Sequence, residues 1–155
     1  MTATLTRRAA LALLAVAATL RPALAAPPAI RVLRDPDCGC CGAWVDIVAQ
    51  AGFDVTVEMT DPAALQDHKA ANGITPALAS CHTAHVEGYV IEGHVPVADI
   101  TRLLAERPDA IGLTVPGMPY GSPGMGPEAE REAYDVLLIR RDGSTAVFSS
   151  YDAAA

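Results

Sequence analysis

The sequence predicts an α/β domain, a mixed sheet with flanking helices, followed by a Gly/Pro/Met-rich loop and a β-hairpin. Three observations carry this. Period-two apolar alternation over residues 30–34 and 55–59 interleaves with helical spacing over 42–51 and 61–71, an order that pairs strands through crossovers. Three cysteines, Cys38, Cys40 and Cys41, crowd into four positions where the first strand hands over to the first helix. Near the end, Asp142-Gly143 separates two further alternating runs, 134–140 and 146–151, the signature of a tight hairpin.

The chain opens with Arg7-Arg8, an apolar run over 9–20 and the small residues Ala23-Leu24-Ala25, the layout of a secretory signal peptide over 1–25. The apolar run is a dozen residues, short of the roughly 20 that cross a bilayer. The Arg pair after Thr6 leaves both a general secretory and a twin-arginine route open. Cleavage leaves a single domain, 26–155, in the periplasm. It also removes three arginines and no acid, so the formal charge moves from −7 to −10. With Lys69 its one lysine, such a surface excludes nucleic acid as a partner.

In order, residues 30–34 form a strand. Gly42 begins a helix whose apolar face carries Trp44, Val45, Ile47 and Val48, and Gly52 stops it. After the strand at 55–59, Asp61 is an N-cap and Pro62 opens a helix to about Ala71, ended by Asn72-Gly73. Short strands are expected over 77–81 and 89–91, then an amphipathic helix over 97–106. Residues 112–127 are too rich in Gly and Pro for a helix or a central strand and read as a loop. A helical turn follows over 128–132, before the hairpin. This is the order of a thioredoxin-like fold, in which the segment carrying Cys81 lies against the cysteine motif.

A helix N-terminus favours ionised sulfur, whereas Asp35 and Asp37 oppose it, so the site gains more from a bound cation than from a bare thiolate. Cys, His and Met suit a soft ion such as Cu(I), and crowded thiolates can bridge more than one ion. Four sulfurs, from Cys38, Cys40, Cys41 and Cys81, also suit tetrahedral zinc, the runner-up. A third possibility is thiol–disulfide exchange through Cys38 and Cys41, with Cys40 as a thiol that would divert the disulfide. His82 follows Cys81 directly, and in a strand it would point to the opposite face. His82 is still a candidate ligand, as is His94, which lies in a Gly/Pro-flanked loop where the alternative is a solvated histidine, while His68 and His85 read as surface residues. Met118 and Met125 would ordinarily be core filler, but they lie in a loop that buries no core face, which makes them candidate ligands or, if the protein is a copper chaperone, its delivery path.

Several segments together resemble a small bacterial copper-resistance and metal-binding family of the CopG type. They are Cys38-Gly39-Cys40-Cys41 with Trp44, Ser80-Cys81-His82-Thr83-Ala84, the stretch 88–96, Arg102-Leu103-Leu104 with Glu106-Arg107-Pro108, Gly117-Met118, Gly121 to Met125, and Asp142-Gly143. The match runs from about Arg31 to Tyr151. The resemblance implies a periplasmic thioredoxin-like domain that binds copper through the cysteines of both motifs and can change its oxidation state. Its partners would be copper ions and periplasmic or membrane copper-handling proteins. The chain departs from the family at Gly73-Ile74-Thr75-Pro76, where the proline is displaced by one position, so a cis-proline facing the cysteines is not expected.

Overall fold

A computed structural model describes residues 26–155, and the expected signal peptide lies outside them. The described chain runs β1 (Ala29–Arg34), α1 (Gly39–Gln50), β2 (Asp54–Met59), α2 (Pro62–Ala71), β3 (His82–Val86), β4 (Tyr89–Glu92), α3 (Val97–Glu106), β5 (Ala110–Thr114), a 3-10 turn (Glu128–Glu130), β6 (Tyr134–Arg140) and β7 (Thr145–Tyr151). It is the expected α/β class, with one seven-stranded mixed sheet in the order β2-β1-β3-β4-β5-β6-β7. The pairs β1–β2 and β4–β5 are parallel and the other neighbours antiparallel. None of the described helices is long and apolar enough to cross a membrane.

Strand alternation sorts the side chains onto two faces. One core joins Val32, Trp44, Val48, Ile91, Ile100 and Leu103, so α1 and α3 cover that face. On the other face Ile74, Leu78, Val90 and Ile139 pack together, and α2 contributes the buried Leu65 and Lys69, four residues apart on one side of the helix. The Asp61 cap is as expected: its carboxylate accepts from the backbone N–H groups of Ala63 and Ala64, each at 3.0 Å, ahead of Pro62. The hairpin around Asp142-Gly143 also forms, with Gly143 at φ 82°.

Three expectations are corrected. Helix α1 starts at Gly39 instead of Gly42, with Cys38 as its N-cap, so Cys40, expected in a preceding loop, and Cys41, expected at the helix mouth, both sit inside the first turn. Residues 77–81 are not a strand. The Leu78 N–H turns back to the Thr75 carbonyl at 2.9 Å, and the Ser80 N–H goes to the Glu92 carboxylate, so neither is free for a ladder. Finally, residues 112–114 belong to β5, a central strand. Gly112 is what allows it: a Cβ there would stand 1.7 Å from the Val90 carbonyl oxygen, so only glycine lets β5 close against β4. Peptide bonds are trans throughout the described residues, including that before Pro76.

Candidate metal centre

The topology gathers several chain segments at one end of the sheet. Arg34, at the end of β1, pairs with His82, at the start of β3. Thr83 pairs with Glu92, near the end of β4, and Glu92 with Thr114, at the end of β5. The segments leaving or entering those ends carry Cys38 to Cys41, Cys81, His94 and the Met loop. They meet there because the strands do.

Cys38 and Cys41 form a disulfide across the first turn of α1, with Cα atoms 5.4 Å apart. Cys40 and Cys81 are free thiols. Cys40 Sγ lies 3.5 Å from Cys38 Sγ and 3.8 Å from Cys81 Sγ, and all four sulfurs lie within 4.8 Å of one another. Cys81 Sγ is also 3.0 Å from His94 Nε2 and 3.5 Å from His82 Nδ1. His82 therefore does not point away from Cys81, because Cys81 lies in the loop before β3 and escapes the strand's alternation. Its ring is buried between Trp44 and His94, with centroids at 4.5 and 5.1 Å, and its Nε2 has no hydrogen-bond partner. An orphaned buried nitrogen beside a thiol cluster is a vacant donor of the kind a metal ion satisfies.

The electrostatics keep Cys81, His82 and His94 neutral while the site is metal-free. Burial, then the neighbouring Cys40, pushes the Cys81 thiol up to about 12. Burial, then His94 and Lys69, holds His82 well below the usual imidazole range. Burial also lowers His94, against the Pro123 carbonyl that accepts from its Nδ1 at 2.7 Å. That bond directs the His94 Nε2 lone pair at Cys81, so both imidazoles are ready as ligands.

The Met loop is fastened to the site by its backbone. Gly124 carries φ 84°, and a Cβ there would come within 2.7 Å of Trp44 N and 3.0 Å of the Cys40 carbonyl. The Gly117 N–H donates to the Ala79 carbonyl, and Ser80 Oγ donates to the Gly117 carbonyl. Met118 follows as an exposed side chain, whereas Met125 is half-buried. The contacts bring the loop to the thiols without assigning either sulfur to them. A cleft of about 300 Å³ opens beside Cys38, Ser80 and Cys81, with Asp35 and Asp37 in its wall, an acidic approach for cations. A larger hollow of about 400 Å³, between Ile47, Tyr134 and Tyr151, lies behind the loop and reaches none of the thiols.

Sequence reasoning missed what lies behind Cys81. Lys69 Nζ, fully buried, donates to Glu92 Oε1 at 2.5 Å and to Thr83 Oγ1 at 2.9 Å. Glu92 also accepts from Ser80 N at 2.7 Å and from the Thr83 hydroxyl at 2.6 Å. This ion pair fixes the backbone one residue before Cys81. The signal was present in the sequence: the one lysine of an acidic chain falls four residues after Leu65, on the inward side of α2.

The fold and site define a class, small α/β domains that collect cysteine sulfur and imidazole at one end of a mixed sheet. Two solved structures named copper resistance protein CopG, Form 2 and Form 1, match this chain at 42% and 41% identity; each match has a TM-score of 0.75 and covers 81% of this chain and 98% of theirs. The family model described as "Protein of unknown function, DUF411" matches residues 78–125, the span from Leu78 through His94 to Met125. No curated protein sequence matches. The chain belongs to the family of the copper resistance protein CopG.

Proposed function

We propose that this protein is an exported, periplasmic copper-binding protein of thioredoxin-like fold that holds Cu(I) through Cys38, Cys40, Cys41 and Cys81 and supports copper tolerance. The observation that carries the reading is the convergence of four sulfurs within 4.8 Å, from two segments forty residues apart. Thiolate sulfur in that density suits Cu(I), singly or as a bridged cluster. His94 and His82 complete the donor set from the Cys81 side, and Met118 and Met125 offer thioether sulfur on the loop above. Their loop would meet periplasmic or membrane copper-handling partners.

The Cys38–Cys41 disulfide gives redox cycling a defined balance. Two Cu(I) ions delivering one electron each would cleave the S–S bond into two thiolates and leave two Cu(II) ions. The reverse step closes the disulfide and leaves Cu(I) on Cys40 and Cys81, and the four-sulfur Cu(I) form is reached when an external dithiol reduces Cys38–Cys41 and is itself oxidised to a disulfide. The same disulfide favours a second reading, thiol–disulfide exchange between Cys38–Cys41 and a partner dithiol.

Copper titration of the reduced protein against bicinchoninate tests the first reading, with X-ray absorption to count sulfur around the metal. Wild type should outcompete the chelator and the fourfold variant Cys38→Ser, Cys40→Ser, Cys41→Ser, Cys81→Ser should not. Equal binding by both removes the sulfur site. Insulin reduction that persists without metal and needs only Cys38 and Cys41 moves the conclusion to the exchange reading.

A further inference from the structure

His68 and His85 do not lie apart on the surface as their sequence context suggests. His85 follows His82 by three residues in β3, which places it on the opposite face of the sheet, beneath α2. There its Nε2 stands 2.7 Å from Nε2 of His68, with the two rings edge to face and their centroids 5.0 Å apart. Neither ring meets the thiols, so this pair is separate from the centre at the sheet end.

We propose that His68 and His85 form a second, sulfur-free site for a divalent ion of square-planar preference, Cu(II) above all. Two nitrogens bound cis at about 2.0 Å in a square plane lie about 2.8 Å apart, close to their present separation. A tetrahedral ion such as zinc would require about 3.3 Å. The ion takes the place of the proton between the two Nε2 atoms, which moves to Nδ1 of the same ring so that both imidazoles stay neutral, and the half-buried His68 ring turns so that both lone pairs meet on the ion. Burial lowers both imidazoles from their ordinary value, which leaves them neutral and free to ligate at pH 7.

The charges around the pair are already engaged. Arg31 is held by Glu58 at 2.7 Å, and Lys69 by Glu92 at 2.5 Å. Water completes the plane, while Asn72 Nδ2 stays a hydrogen-bond donor to the His68 carbonyl at 2.8 Å. Such a site takes the oxidised form of the metal whose reduced form suits sulfur, on the far side of the same strand. It does not rest on the sulfur reading, since no cysteine takes part.

The test uses the full chain with Cys40→Ser and Cys81→Ser, which leaves the Cys38–Cys41 disulfide closed and no thiol to reduce added Cu(II). Electron paramagnetic resonance during Cu(II) titration should report a site with two imidazole nitrogens. Adding His85→Gln or His68→Gln should weaken it by roughly tenfold or more. Cu(II) affinity and spectrum unchanged by both substitutions would overturn the proposal. Should the serine background fail to fold, Ni(II), square-planar and redox-silent here, can be added to the oxidised wild type. Imidazole nitrogen NMR signals of His68 and His85 that shift together support the site; signals that stay fixed reject it.

Discussion

Replacing Lys69 with Met removes the cation of a fully buried ion pair while keeping the length of the side chain. Glu92 then remains in the interior, 0% exposed, with Ser80 N–H and the Thr83 hydroxyl as donors but no opposite charge. Removing one member of such a pair costs about 3–5 kcal/mol, far above the 0–1 kcal/mol typical of an exposed pair such as Arg31–Glu58. For a domain of this size that lowers Tm by roughly 10–20 °C. The double variant Lys69→Met, Glu92→Met leaves no stranded charge and should recover at least half of the loss. Urea denaturation of the metal-free protein at pH 7, run on wild type, both single variants and the double, measures the coupling directly. A Lys69→Met cost below about 1 kcal/mol, or a double variant no better than the worse single, would refute the stranded-charge argument. The double variant also frees Ser80 N, so its Cys81 should alkylate faster than wild type even where stability returns.

In metal-free wild type, the thiol pushed up to about 12 should react with iodoacetamide at pH 8 some two to three orders of magnitude more slowly than in the urea-unfolded chain. Comparable rates before and after unfolding would show that burial does not protect it. Gly112→Ala should abolish soluble expression or cost several kcal/mol, because its Cβ meets backbone rather than a movable side chain; near-wild-type urea stability would contradict the β4–β5 contact. His82, His94, His68 and His85 all have folded values below the unfolded 6.5, so the unfolded chain binds more protons below that pH. Metal-free stability should therefore be fully present above about pH 7 and fall as pH drops towards 5, and a flat urea midpoint across that range would count against it. Trp44, the single tryptophan, donates from Nε1 to the Val95 carbonyl at 2.9 Å beside His82, so copper loading should change its emission; no change at saturation would place the metal elsewhere.

Much of this was legible from local rules. The alternation in β1, β2, β6 and β7, the Asp61-Pro62 opening of α2 and the Asp142-Gly143 turn act over neighbouring residues, and the sequence displays them directly. Cys38, Cys40, Cys41 and Cys81 were also recognisable as one set, since their residue type carries the chemistry. What was hidden depends on distant contacts. Gly112 reads as a loop residue until Val90 is placed against it, and residues 77–81 read as a strand until Glu92 and Thr75 claim their backbone groups. His68 and His85 look unrelated because α2 and β3 bring them together only in space. The orientation of His82 failed for a similar reason: alternation governs residues within a strand, and Cys81 stands just outside one.

β3 faces two ways, and this constrains how the protein can vary. His82 serves the thiol layer, Thr83 the buried ion pair, Ala84 the core under α1, and His85 the imidazole pair under α2. One inserted or deleted residue here would exchange these duties wholesale, turning a hydroxyl towards the thiols and an imidazole into the charged interior. Length changes in this part of the chain should therefore be absorbed in the turn at Glu87-Gly88, where both residues already hold positive φ, and not within the strand itself.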